Sequence, residues 1–180
     1  VSGLLYNSDL LLYDRQSESL WSQVMGQAVS GPRKGERLVA VPIEHTTWED
    51  WKTQHPDTEV LSKETGFSRA YGRSPYGDYY ENGDIYFPLS FRSSQYHPKE
   101  RVIGIEVDGK FKAYPFAELS QVQSPLEDTF AGQKFTMEFN LETRNGVIRD
   151  PQGKVLPSVN AFWFAWYAFH PETKIFLGKN

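Results

Sequence analysis

The hydrophobic residues of this chain come in short runs, most of them alternating with polar positions at the two-residue period of a strand. Residues 3–14, GLLYNSDLLLYD, set two apolar runs either side of Asn7, Ser8 and Asp9, which predicts strand, tight polar turn, strand. Residues 19–23 (SLWSQ) and 37–41 (RLVAV) read as further strands, separated by a Gly/Pro loop at 30–35. The clearest hairpin is RVIGIEV at 101–107, then Asp108-Gly109, then 110–114, because an Asp-Gly pair between β-branched runs favours a two-residue turn. Pro115 closes it and 116–119 forms one helical turn. Residues 134–141 (KFTMEFNL) alternate like a half-buried strand, and Asp150-Pro151-Gln152-Gly153 makes a turn within 147–155. Helical signals are few. Thr47 is placed to N-cap a helix that starts at Trp48, with Glu49 and Asp50 at its positive end. That helix stops near Gln54, because Pro56 disfavours helical geometry at His55. A strand follows at 59–61, then a Gly-, Ser- and Tyr-rich surface excursion at 62–84. Asn160 is expected to cap a second helix running through Trp166. No long amphipathic helix is present, so the expected class is β-rich α+β and mostly antiparallel.

One pattern occurs twice. Residues 42–61, PIEHTTWEDWKTQHPDTEVL, align without a gap on residues 157–176, PSVNAFWFAWYAFHPETKIF. Pro, Trp, Trp, His, Pro and Thr coincide, and four of the chain's 5 Trp sit at matched positions. Each copy follows a Gly-led apolar strand, so the repeated units are taken as 35–61 and 153–176 within one domain at 1–180. Trp48, Trp51 and His55 are spaced i, i+3, i+7, as are Trp163, Trp166 and His170. This puts three rings on one helical face, to be pressed on a sheet. The His-Pro step ends the helix, and each histidine is placed to cap its last carbonyls. The competing reading makes the two histidines a ligand site between pseudo-repeated halves.

With 180 residues the chain is long enough to bury a core, and 12 Phe, 10 Tyr and 5 Trp make that core aromatic. A net charge of −4 leaves no basic footprint for nucleic acid. The longest apolar run, at 161–169, is about half of what a membrane-spanning helix needs. With no cysteine, this chain has no disulfide, thiolate metal site or Cys nucleophile. Val1 opens the chain inside an apolar run, without an initiator Met or leader, so the start is expected to lie upstream.

Candidate chemistry is sparse. Asn7, Asp9, Asp14, Arg15, Trp21 and Gln23 make the densest polar group beside apolar strands. They either bind a polar ligand in a groove floored by Trp21 or simply build turns and strand ends. Ser8 lacks a Gly-x-Ser-x-Gly elbow and a neighbouring histidine, so a triad is not indicated. None of the four histidines forms a His-x-x-x-His pair, and three of them precede proline. His45, beside Glu44, together with His55 and His170, is a weak metal candidate. Asp78 and Asp84 are weak candidates too, with oxygen donors at alternating spacing, but Leu89 stands where a calcium loop needs Glu. Tyr71, Tyr76, Tyr79, Tyr80 and Tyr86 offer a partner surface of large area and low entropy cost, or else cover the domain's own strands. No cofactor is predicted within the chain.

The stretches GLLYNSDLLLYDRQSESLWSQ, HTTWEDWKTQHPDTEVLS, RVIGIEVDGKFKAYPF and FWFAWYAFHPET resemble the bacterial family called domain of unknown function 3179. The resemblance covers nearly the whole chain. It implies export to the periplasm, an upstream first copy of the Val-Ile-Gly…Ala-Tyr-Pro unit seen here at 102–115, and an upstream Cys-Pro-x-Cys segment. The chain then corresponds to the C-terminal two-thirds or so of a family domain. No activity or catalytic residue comes with the resemblance. The expected function is a non-catalytic, exported binding or assembly module with a protein partner. The alternative is an exported metal-dependent or redox enzyme whose reactive cysteines lie upstream.

Overall fold

The computed structural model describes residues 2–178. In chain order its elements are β1 (Leu5–Tyr6), β2 (Asp9–Leu10), β3 (Leu12–Tyr13), β4 (Leu20–Ser22), β5 (Gln27–Ser30), α1 (Trp48–Gln54), β6 (Arg101–Val107) and β7 (Lys110–Pro115). There follow α2 (Phe116–Leu119), β8 (Leu126–Phe130), β9 (Gln133–Asn140), β10 (Asn145–Arg149), β11 (Val155–Leu156), β12 (Val159–Phe162), α3 (Trp163–Phe169) and β13 (Lys174–Ile175). The fold is β-rich, its three helices are short, and every described strand pair except β13 on β7 is antiparallel.

Two four-stranded sheets, ordered β12-β6-β7-β13 and β11-β10-β9-β8, hold most of the core. The hairpin β6–β7 lies at its centre. Its turn residues Asp108 and Gly109 take φ of 50° and 73°, the left-handed pair that a two-residue turn between right-twisting strands requires. Ile103, Ile105, Val107 and Tyr114 point from one face of the hairpin onto Phe135, Met137 and Ile148 of the second sheet. Val102 and Ala113 point from the other face onto Trp163 and Trp166 of α3. A hairpin covered on both faces reads as a near-continuous apolar run, which is why RVIGIEV lacks clean alternation. Between the sheets, the Lys112 ammonium lies 2.5 Å from the Asp128 carboxylate, which also accepts a bond from the Tyr114 hydroxyl at 2.8 Å. Burial and that carboxylate push the Tyr114 phenol far above its ordinary pKa.

The N-terminal strands form as the polar turn predicted. Asn7 and Ser8 adopt φ of 51° and 62° between β1 and β2, and β3-β4-β5 make a separate small sheet. Three expectations fail for one reason, the availability of a pairing edge. Residues 37–41 and 59–61 are not strands; among the described residues, only an isolated bridge of Arg37 to Gln27 marks the first. A β-branched run with no neighbour to take its N–H and C=O groups stays irregular. Asn160 does not cap a helix, because it pairs with Ile103 within β12. Phe162 holds the cap position of α3 without a side-chain bond.

Candidate functional site

The two copies of the repeated unit share one local geometry. Helices α1 and α3 each span 7 residues, and the cap backbones at His55 and His170 have φ −130° with ψ of 70° and 64°. In both, the histidine N–H donates to the carbonyl of the helix's second tryptophan, Trp51 or Trp166, at 2.7 and 3.0 Å. The same indoles donate from Nε1 to Thr58 and Thr173, each at 3.0 Å. The rings of Trp51 and His55 lie 4.0 Å apart, those of Trp166 and His170 4.3 Å. Threonine after His-Pro-acid is thus needed as an indole acceptor, which explains its presence in both copies. The match ends at the flanks, since strands bound α3 on both sides while none bounds α1.

What differs is the covering. Trp163 and Trp166 are 0% and 2% exposed, packed on β6–β7. Gly104 makes this possible: a Cβ there would fall 2.3 Å from the Trp166 ring. His170 stacks on Phe111 at 3.9 Å, and burial pushes its imidazole down to about 4. At roughly 25 cal/mol/Å2 and ~150–250 Å2 per ring, each buried indole contributes up to about 4–6 kcal/mol. Helix α1, by contrast, has no buried residue, and Trp48 is 51% exposed. The expectation that both Trp faces are pressed on a sheet therefore holds for the second copy alone. The sequences give the reason. In α3 every residue is apolar or aromatic, and its outer face also meets the N-terminal strands, where Tyr6 packs edge-on to Phe169 at 5.6 Å. In α1, Glu49, Asp50, Lys52, Thr53 and Gln54 leave only the Trp48–Trp51–His55 stripe apolar; Trp48 and His55 are exposed, and Trp51 is only partly covered, against His55 and Thr58.

The Tyr-rich excursion stands beside the second copy. Tyr71, Tyr76, Tyr80 and Tyr86 are exposed, while Tyr79 is partly covered and stacks near Tyr86 at 4.8 Å. Tyr80 leans on Phe162 at 5.9 Å, so the excursion overlies the entry to α3. Lys99, which the sequence reading did not single out, organises it. Its ammonium donates to the carbonyls of Tyr79, Asn82 and Asp84 at 2.9, 3.2 and 2.6 Å and lies 3.6 Å from the Tyr79 ring centre. Lys99 is 4% exposed, and desolvation lowers its pKa. The loop that resembled part of a calcium site thus turns its carbonyls onto an internal ammonium. No sequence signal marks Lys99 beyond its place after a His-Pro step.

The N-terminal polar group divides. Asn7, 9% exposed, donates to the carbonyl of Ala168 at 3.1 Å and accepts from the N–H of Ser90 at 2.8 Å, tying the first turn to α3. Asp9 accepts from Ser22 at 3.1 Å and Gln23 at 3.2 Å, beside the buried Trp21. Asp14 instead closes its own turn; the Ser17 hydroxyl at 2.6 Å holds its carboxyl below the usual range, and Arg15 is exposed. Asp9 and Asp14 thus use their carboxylates on different local partners. Nor are the weak metal candidates His45, His55, His170, Asp78 and Asp84 brought together: among the described residues no group of three or more His, Cys, Asp or Glu side chains is placed to hold an ion. No described helix is long and apolar enough to cross a membrane.

Compared with known families, residues 1–154 match the model described as "Protein of unknown function (DUF3179)". The match starts at residue 1 and stops before the second Trp helix, so reading the chain as the C-terminal two-thirds of a family domain is slightly off. No curated protein and no solved structure matches the chain.

Proposed function

The chain belongs to the DUF3179 family of proteins of unknown function, and from that premise we propose that it is a non-catalytic assembly module that docks a partner protein on α1. The observation that carries this reading is the unequal covering of two otherwise matched units: Trp48 is 51% exposed where Trp163 is 0% exposed. An amphipathic helix whose leading tryptophan stands in water and whose second is only partly covered is missing the surface that its apolar stripe would meet. The surroundings agree. Most exposed large apolar side chains lie between residues 38 and 91, with Val39 and Leu61 at 91% and 96% exposure. The docked copy supplies the template for the partner: paired strands presenting a glycine under the indole and an aromatic ring over the histidine, as Gly104 and Phe111 do for α3. The exported setting of this assembly rests on the family resemblance.

A backbone-cyclised peptide carrying the sequence of residues 101–115, titrated into the full chain, tests the reading. Binding is expected to shift tryptophan emission to the blue, to vanish in Trp51→Ala, and to vanish for a peptide with valine at the Gly104 position. Equal binding by the valine peptide or by Trp51→Ala, or no binding by the parent peptide, would sink the proposal. Fractionation of cells that produce the full-length protein tests export; retention in the cytosol would remove that part.

A further inference from the structure

We infer that the cleft between the first copy of the repeated unit and the β9–β10 turn is a binding site for a free α-amino acid. The cleft has a volume of about 470 Å3, within the range of small-molecule sites. It is lined by residues 44–46 of the first copy, by Arg101 and by residues 142–144 of the β9–β10 turn. A narrower recess sharing His45 is lined by Ile43 and His45 from the first copy and by Ser158 and Asn160 from the second, and those pairs coincide in the alignment of the repeats. The second copy meets the cleft only through this recess.

Its charge pattern selects the ligand. Arg101 and Arg144 bring two guanidinium groups, and Glu44 and Glu142 bring two carboxylates. Among the described residues none of the four makes an ion pair, whereas Arg37 with Glu106 and Lys112 with Asp128 pair at 2.7 and 2.5 Å elsewhere. A simple anion would meet the two carboxylates, and a simple cation the two guanidinium groups. A molecule with an ammonium and a carboxylate two bonds apart satisfies both sets at once. Two hydrogen-bonding atoms add to this. The Thr143 hydroxyl on the cleft wall and the Asn160 side-chain oxygen in the adjoining recess are buried with no partner among the described residues, and burial without a partner is costly. The oxygen can only accept, which suits an ammonium rather than a carboxylate.

The wall is also held in shape. Asn140 accepts from the N–H groups of Glu142 and Thr143 at 2.8 and 3.0 Å, and the Asn160 amide donates to the Arg144 carbonyl at 2.9 Å. These bonds fix Arg144 at φ 51°, a left-handed conformation that a non-glycine side chain adopts at a cost. The Arg144 backbone is thereby placed at the edge of the cleft.

The test titrates the full chain with each of the twenty free L-amino acids by calorimetry, after a thermal-shift screen of their mixture. At least one is expected to bind. Its N-acetyl and carboxamide derivatives, each lacking one charge, are expected to bind at least about tenfold more weakly, as are the variants Arg144→Gln and Glu142→Gln. Both substituted side chains are exposed, so far-UV circular dichroism and the melting temperature should stay at wild type. No binding by any of the twenty, equal binding of either derivative, or binding that survives both substitutions would overturn the inference. None of these results depends on whether the cyclised hairpin binds α1.

Discussion

Replacing Trp166 and Trp51 by alanine, one at a time, sets the two copies of the unit against each other in a single measurement. Trp166 is 2% exposed and packs on Val102, Ala113 and Gly104. Its loss removes a large core ring and leaves a cavity floored by a glycine, which cannot refill it. The expected cost is about 3–5 kcal/mol. Trp51 occupies the matched position on a helix with no buried residue, where it keeps one ring contact, to His55 at 4.0 Å, and one hydrogen bond, to Thr58 at 3.0 Å. Its loss is expected to cost only about 1 kcal/mol. The pair should therefore differ by roughly 2–4 kcal/mol. At about 2–4 °C per kcal/mol for a domain of this size, that is on the order of 10 °C in melting temperature. Urea unfolding followed by far-UV circular dichroism is the suitable assay, since emission would be confounded by removal of a fluorophore. Equal destabilisation by the two substitutions would refute the claim that only one copy is docked.

Other consequences are measurable in the same way. Gly104→Ala puts a methyl where the Trp166 ring lies 2.3 Å away and should cost about 3 kcal/mol by overpacking, read from urea midpoints; a change below ~0.5 kcal/mol would contradict the packing described. Burial holds His170 down at about 4, against 6.5 for the free side chain, so the unfolded chain binds the extra proton first. Its contribution is full above pH 6.5 and is lost as pH falls toward 4, by up to roughly 3 kcal/mol; His170→Phe should flatten that acid limb, and an unchanged slope would exclude the effect. Lys99→Met removes the donor shared by three carbonyls and should speed amide exchange and proteolysis within residues 78–86, with the β6–β7 amides unaffected; unchanged protection there would show that the loop orders itself. Asp128→Ala strands the Lys112 ammonium between the sheets and should cost about 3 kcal/mol, checked by thermal unfolding at neutral pH.

Local chemistry was legible in the sequence, and pairing across distance was not. The Asp108-Gly109 turn, the Thr47 cap, the stop before Pro56 and the one-turn helix at 116–119 all depend on neighbours within a few residues, and all formed. Strand β8 was missed because LEDTF carries two acids; Asp128 turns inward to Lys112 and Tyr114, and only the three-dimensional partner explains it. Residues 37–41 have the β-branched composition of a strand, but composition cannot show that no edge is offered to them. The site residues divide along the same line. Asn7 was picked out as a turn residue, yet its buried bond runs to Ala168, 161 positions away. Four of the five tyrosines are exposed and Tyr79 is partly covered, so both open readings of the group stand, whereas Lys99, which contacts Tyr79, sits in an unremarked Pro-Lys-Glu step. Alignment of the repeats placed His45 opposite Asn160, but only the folded chain shows that both line one recess.

The hairpin β6–β7, covered on one face by a sheet and on the other by a helix, also sets the order in which the chain can fold. Its two strands pair across a two-residue turn, so its closure carries almost no loop entropy, while α3 lies some fifty residues further along. Neither core can begin until the hairpin gives it a floor. Conservative truncations in β6 and β7, such as Val102→Ala, should therefore slow refolding, with φ-values in the range of about 0.5–0.8. Substitutions in α3 should leave the refolding rate nearly unchanged and instead hasten unfolding. The duplicated helix would then arrive last on a surface already built.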